Sequence, residues 1–331
     1  MPNPIDRRTF VAAVGAGALV RALSAGAQGS GMAVIGYLGA ESPALFASRL
    51  QAFRQGLAEA GFVEGRNIAI EFRWAEGQHG RLASLAGDLA SRGVTVIVAP
   101  GGAPAAIAAK SATTSIPIVF EMGADPVALG LVESLSRPGG NLTGVASLNV
   151  ELSAKRLELL REVIPAAKVV AVLVNPTSPT TESQLQKLQP AAQAFGVQLD
   201  VLRAATEEAF GAAFERMREL KVAGLVVASD TYFATHSEPL AALALRHRLP
   251  AIHQSRDFAI AGGLMSYGGN FVESHRQAGI YAGRIVKGAR PADLPVHQVT
   301  GVELFVNLKT AQALGIRFPM ALLARADVVI E

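Results

Sequence analysis

From Ala33 onward, short β-branched apolar runs alternate with longer stretches of helical period, the pattern of βαβ units that build parallel sheets. In the first half the runs predict strands over 33–38, 67–74, 94–99, 116–120 and 142–146, with helices over about 42–60, 80–92 and 103–111. Ser42 is placed as a helix cap, and Asp125-Pro126 as the start of a further helix, because Asp caps and Pro suits the first turn. The second half repeats the plan. Strands are expected over 169–174, 197–202, 224–228, 251–252 and 264–267, separated by helices over about 183–195, 207–220 and 240–247. The halves also end alike. Gly139-Gly140-Asn141 leads through a strand into a helix over 150–163, and Gly262-Gly263 leads through 264–267 and Gly268-Gly269-Asn270 into a helix over 271–287. If each closing strand hands the chain to the opposite lobe, the lobes are discontinuous: 33–147 with about 270–300, and 148–269 with about 301–331. A strand at 303–307, a helix at 308–314 and a final apolar run at 326–330 then supply another crossing. The fold class is therefore α/β, two Rossmann-like lobes with parallel sheets joined by a multi-strand hinge.

Residues 1–27 break this pattern. Asp6-Arg7-Arg8-Thr9-Phe10 precedes an apolar stretch from Val11 to Val20 and a small-residue end, Ala25-Gly26-Ala27. That order is a twin-arginine export signal with cleavage after Ala27, and about ten apolar residues are too few to cross a bilayer core of roughly 30 Å. The expected location is the periplasm. With 30 basic and 27 acidic residues the chain carries +3, but the signal holds Arg7, Arg8 and Arg21 against Asp6, which leaves the remainder near neutral. No basic run interleaved with aromatics follows, so nucleic acid is not an expected partner. The absence of cysteine excludes disulfides, thiolate metal sites, a cysteine nucleophile and a lipid-modified cysteine.

In parallel sheets the loops at the carboxyl ends of the strands face the crevice, where helix N-termini offer free N–H donors. Small polar residues crowd these loops: 39–42, 100–103 and 121–126 in the first half, and 175–181, 229–232 and 254–257 in the second. Gly, Pro, Ser and Asp are also what turns and caps require, so the set argues for a cleft more strongly than any member does. Gly101-Gly102 is followed by no P-loop lysine, and no G-x-G-x-x-G motif follows a strand. The histidines at 79, 236, 247, 253, 275 and 297 form no close ligand pair. His247 and His275 read as solvated helix faces, and His253 as a strand-end residue within reach of the cleft. There is no G-x-S-x-G elbow. No catalytic residue, metal or cofactor is nominated.

Several segments, in order, carry a family resemblance: Ala52-Phe-Arg-Gln-Gly56, Gly61-Phe-Val-Glu-Gly-Arg-Asn-Ile-Ala-Ile-Glu71, Arg73-Trp-Ala-Glu-Gly77, Arg137-Pro-Gly-Gly-Asn-Leu-Thr-Gly144, Glu151-Leu-Ser-Ala-Lys-Arg-Leu-Glu-Leu-Leu160, Asn307-Leu-Lys-Thr-Ala-Gln-Ala-Leu-Gly315 and Leu322-Leu-Ala-Arg-Ala-Asp327. They resemble the ABC transporter substrate-binding family that includes tryptophan- and phenylalanine-binding members. The resemblance implies the periplasmic binding protein type I fold and hinge closure on a small molecule, an amino acid or other small carboxylate. It also implies delivery to an ABC permease with its ATPase in the inner membrane, by a monomer without catalytic activity. By position, the family's cleft loops map onto Gly39, Glu41, Ser42, Gly101, Gly102, Ala103, Met122, Gly123, Asp125, Asn149, Pro176, Thr177, Ser178, Asp230, Thr231, Tyr232 and Tyr267. The chain departs from the commoner pattern at Glu121-Met-Gly-Ala124 and Ser229-Asp-Thr-Tyr232, both bordering the ligand. A ligand-sensing module for a membrane receptor and an exported enzyme on the same scaffold are the alternative readings.

Overall fold

A computed structural model describes residues 32–331, so the expected export signal and cleavage position lie outside the described residues. The first half folds as β1 (Ala33–Gly39), α1 (Ala47–Glu59), β2 (Ile68–Trp74), α2 (Leu82–Ser91), β3 (Val96–Ala99), α3 (Gly102–Ala112), β4 (Ile118–Met122) and β5 (Leu142–Ala146). The second continues as α4 (Ser153–Val163), β6 (Val169–Val174), α5 (Thr181–Ala194), β7 (Gln198–Arg203), α6 (Glu207–Glu219), β8 (Gly224–Val227), α7 (Thr231–Thr235), α8 (Ser237–Arg246), β9 (Ala251–His253), α9 (Arg256–Ile260) and β10 (Met265–Gly269). Then come α10 (Phe271–Val286), β11 (His297–Gln298), β12 (Val302–Asn307), α11 (Leu308–Leu314), α12 (Met320–Leu323) and β13 (Val328–Ile330).

Two sheets result. The first runs β11-β5-β4-β3-β1-β2 and the second β13-β12-β10-β9-β8-β6-β7, so the order β2-β1-β3-β4-β5 recurs as β7-β6-β8-β9-β10. The internal repeat visible in the sequence is thus a repeat of topology. The pairings are parallel except β10 with β12, where Tyr267 faces Leu304. Central strands such as Val-Ile-Val-Ala in β3 are buried throughout, as expected where helices cover both faces. Edge strand β7 has only exposed and half-buried residues. The chain leaves the first sheet after β5, returns after β10 to lay α10 and β11 on it, and leaves again for β12.

Packing of α10 on α1 closes the first sheet's outer face. Phe46 and Phe53 are fully buried there, each contributing about 1.5–3 kcal/mol. The two helices approach to backbone contact because glycines meet: a Cβ at Gly56 would overlap the Arg276 carbonyl, and one at Gly279 the Phe53 carbonyl. At the crossings, Arg156 of α4 is fully buried and donates to the carbonyls of Asn149 (2.8 Å) and Tyr267 (3.1 Å) and to Ser229 Oγ (2.6 Å). Asn149 Oδ1 in turn accepts from Gly269 N at 2.8 Å. Two crossings 120 residues apart are thereby tied to each other and to the loop after β8. Burial draws the Arg156 pKa down to about 9, which still leaves the guanidinium charged at neutral pH.

Some expectations need correction. No helix follows Asp125. Its carboxylate accepts from Val127 N at 2.8 Å, but Leu131 N turns back to the Pro126 carbonyl at 2.8 Å and ends the single turn. Ser42 does accept a bond from Leu45 N (3.4 Å), yet the helix starts only at Ala47. His275 is not on a solvated face. It is 1% exposed, its Nδ1 lies 2.8 Å from the Phe271 carbonyl, and burial aided by Arg49 pushes its pKa down to about 3. His247 packs on Phe214 with ring centres 5.5 Å apart. Strand β11 and helices α7, α9 and α12 have at most five residues each, too few to display a period.

Candidate functional site

The carboxyl ends of β1, β3 and β4 face those of β6, β8 and β9. In each sheet the strand order reverses there, at β1/β3 and β6/β8, the topological switch where open sheets form crevices. A cavity lies between the two sets of loops. Pro100, Ala103, Pro104, Ala124, Val150 and Ala234 supply its apolar lining, and Ser178, Thr180, Ser229, Asp230, Thr231 and Gln254 a polar wall. Arg49, Glu121, Phe271, Gly102 and Gly123 complete it. It encloses about 40 Å³, room for a few waters. Gly102 (φ +75°) brings the two sides together, since a Cβ there would come within 2.5 Å of Thr231 Oγ1.

The wall from the second sheet is bonded to itself. Asp230 caps α7, its Oδ1 accepting from Tyr232 N (3.0 Å) and from Asn175 Nδ2 (3.2 Å). Gln184 holds Ser229 from both sides, donating to its carbonyl (2.9 Å) and accepting from its N–H (2.6 Å). Gln254 Nε2 donates to the Asp230 carbonyl at 3.1 Å. These bonds fix the polar groups before any ligand arrives.

The first sheet presents charge instead. Arg49, only 5% exposed, projects from α1 with its guanidinium over the rings of Phe46 (5.0 Å) and Phe271 (4.7 Å). Among the described residues it has no hydrogen-bond acceptor, and its one ion pair is a loose 3.8 Å contact with Asp257 on α9. Glu121, near the end of β4, is 3% exposed and its Oε1 has no partner. Desolvation pushes its pKa up to about 7, against the pull of Arg49 and the Ser274 hydroxyl. A buried guanidinium and a buried carboxyl therefore flank the same cavity without pairing.

Of the residues nominated from sequence, Gly102, Ala103, Gly123, Ser178, Asp230 and Thr231 line this cavity. Glu41, Ser42 and Tyr232 line a separate groove with Glu76, Glu207 and Glu208. There Glu41 Oε1 lies 3.8 Å from His79 Nε2; burial lowers the His79 pKa, but Glu41 and Asp230 outweigh it and the net shift is upward. The other eight fall elsewhere. Gly39 packs under Trp74, Gly101 against Ala40, and Met122 is fully buried. Asp125 caps its turn, Asn149 ties the crossings, and Pro176 and Thr177 are exposed. Tyr267 lines a shallow pocket with Lys155 and Arg325. His253 is fully buried with neither ring nitrogen bonded, and does not line the cavity. Sequence reasoning missed Arg49 and Phe271 because both belong to helices. The usable signal was an arginine three residues after Phe46 and four before Phe53, on the apolar face of α1.

Among the described residues no three His, Cys, Asp or Glu side chains group to hold a metal, and no helix is long and apolar enough to cross a membrane. Two similar α/β lobes with a small polar cavity between their strand ends define a small-molecule binder of the type I periplasmic binding protein fold. The model of the family described as ABC transporter substrate binding protein matches residues 33–330, and the chain belongs to that family. It is similar to the tyrosine-binding protein of Clostridioides difficile strain R20291, 27% identical over 278 residues, which cover 84% of this chain and 79% of that one. A Streptococcus pneumoniae ABC domain in complex with L-Trp overlays with a TM-score of 0.81 at 26% identity, covering 91% of this chain and 100% of the other. The ligand-free, open structure of a Clostridium difficile substrate-binding protein with adhesive properties overlays at 0.63 with 27% identity, covering 90% and 99%.

Proposed function

We propose that this chain is the extracytoplasmic solute-binding component of an ABC importer, taking a small carboxylate, an amino acid foremost, between its lobes without transforming it. The observation that carries this is Arg49: a guanidinium held by two aromatic rings, opening on the interlobe cavity and, among the described residues, touching only Asp257 at a loose 3.8 Å without a hydrogen-bond acceptor. A carboxylate is the group that fits its fork. Tyrosine and tryptophan in the names of the relatives support an amino acid. The lobes comprise 33–147 with about 270–300 and 148–269 with about 301–331, and the crossings between them form the hinge. Since the cavity now holds only about 40 Å³, the lobes must part to admit a ligand and close over it. The better overlay on the tryptophan complex than on the open structure, at nearly equal identity, supports a closed arrangement here. Export by Arg7-Arg8, cleavage near Ala27, and docking of a monomer on a permease with its ATPase complete the reading.

The test is a thermal-shift screen of ligand-free protein against L-amino acids and other small carboxylates. A ligand at 100 times its Kd adds about 2.7 kcal/mol of stability. A hit that disappears in Arg49→Met is expected. Absence of any shift, or a hit indifferent to Arg49→Met, refutes the reading.

A further inference from the structure

The cavity holds a carboxyl group that capture of a ligand carboxylate does not use. Glu121 and Arg49 are both at least 95% buried, both line the cavity, and no ion pair within 4.0 Å joins them. Among the described residues Glu121 Oε1 is without a partner, and the Arg49 guanidinium has no hydrogen-bond acceptor, only the loose 3.8 Å contact with Asp257. Isolated buried charges are costly, so two opposite ones that flank a space without closing on each other leave room for a group that satisfies both.

We propose that Glu121 receives the ammonium group of the ligand while Arg49 receives its carboxylate, so that the site selects zwitterionic α-amino acids over the same acids lacking the amino group. This rests on the reading of the cavity as the ligand site. Asp230, the other acidic group lining the cavity, is engaged through Oδ1 by Tyr232 N and Asn175, whereas Glu121 is the lining carboxylate with a fully buried oxygen that has no partner among the described residues. Charge balance points the same way. With Arg49 against Glu121 and Asp230, the ionised lining is already net negative by one, and a bare carboxylate ligand would add to that. A zwitterion adds nothing. Among the described residues, the groups facing Glu121 leave Arg49 as its only cation: Tyr37 of β1 has its pKa raised by burial, His275 of α10 is held neutral with a pKa of about 3, Ser274 is uncharged, and Asp230 is a further acid of the lining.

The experiment compares tyrosine with 3-(4-hydroxyphenyl)propionate, phenylalanine with 3-phenylpropionate, and tryptophan with indole-3-propionate, by calorimetric titration of the ligand-free protein. The expected result is a preference for the amino acid of about 100-fold or more, because a site built to bind a polar group rejects the analogue lacking it. Glu121→Gln is expected to cut that ratio at least about tenfold, mainly by weakening the amino acid. The unsubstituted protein supplies a second readout. With the Glu121 pKa near 7, lowering the pH from 8 to 5.5 protonates the carboxyl, so affinity for the amino acid falls while that for the deaminated acid does not. Equal binding of the two acids, or a ratio unchanged both in Glu121→Gln and across this pH range, overturns the assignment alone. Binding of neither acid overturns the ligand-site reading and the assignment with it.

Discussion

Glu121→Gln also has a consequence for the empty protein that can be worked out from the structure. In the unfolded chain Glu121 titrates near 4.5, and in the fold burial moves it up to about 7. At 1.36 kcal/mol for each tenfold change in proton affinity, ionising the buried group costs the fold about 3 kcal/mol. Because the folded state holds the proton more tightly, this cost is absent below pH 4.5, grows between 4.5 and 7, and is complete above 7. Gln removes the charge but leaves amide donors to satisfy, at about 1 kcal/mol. The ligand-free variant is therefore expected to be more stable than the parent by about 2 kcal/mol at pH 8, and less stable by about 1 kcal/mol at pH 4. In melting temperature the gain at pH 8 is roughly 3 °C for a chain of this length. Denaturant unfolding at a series of pH values with comparable m gives the free energies directly. A difference that does not change with pH between 4 and 8 refutes the burial argument, and with it the unpaired state of this carboxyl.

Other expectations concern packing, closure and export. Gly56→Ala forces α1 from α10 and should lower unfolding free energy by about 3 kcal/mol, read from the denaturant midpoint. Gly102→Ala combines a left-handed backbone, about 1 kcal/mol of strain, with a wedge against Thr231, and should weaken ligand binding about tenfold in titration calorimetry. Asn149→Ala removes the tie to Gly269 N and should enlarge the radius of gyration of the ligand-free protein in solution scattering, at a stability cost of about 1–2 kcal/mol. Replacing Arg7 and Arg8 together by Lys should hold the precursor in the cytoplasm, seen by fractionation and mass of the N-terminus.

Strands such as Val-Val-Ala-Val-Leu-Val of β6 were legible because a strand buried on both faces must be apolar throughout, a property of the local sequence. The repeated order of strands made the crevice legible too, since parallel sheets put the loops after β1, β3, β6 and β8 at one end whatever their composition. Within those loops the sequence could not say which way each residue turns. Gly102 and Gly101 are neighbours of one type, yet one lines the cavity and the other packs against Ala40. Arg49 and Glu121 show the same limit from the opposite side. A charged residue on a helix face or in a buried strand is ordinarily solvated or paired, and only the placement of α1, α10 and β4 around one space leaves these two desolvated and apart. Sequence alone thus determined the two-lobed α/β plan, because periodicity and turn chemistry act over a few residues. Tertiary structure decided the charged pair, because desolvation depends on neighbours that lie far away along the chain.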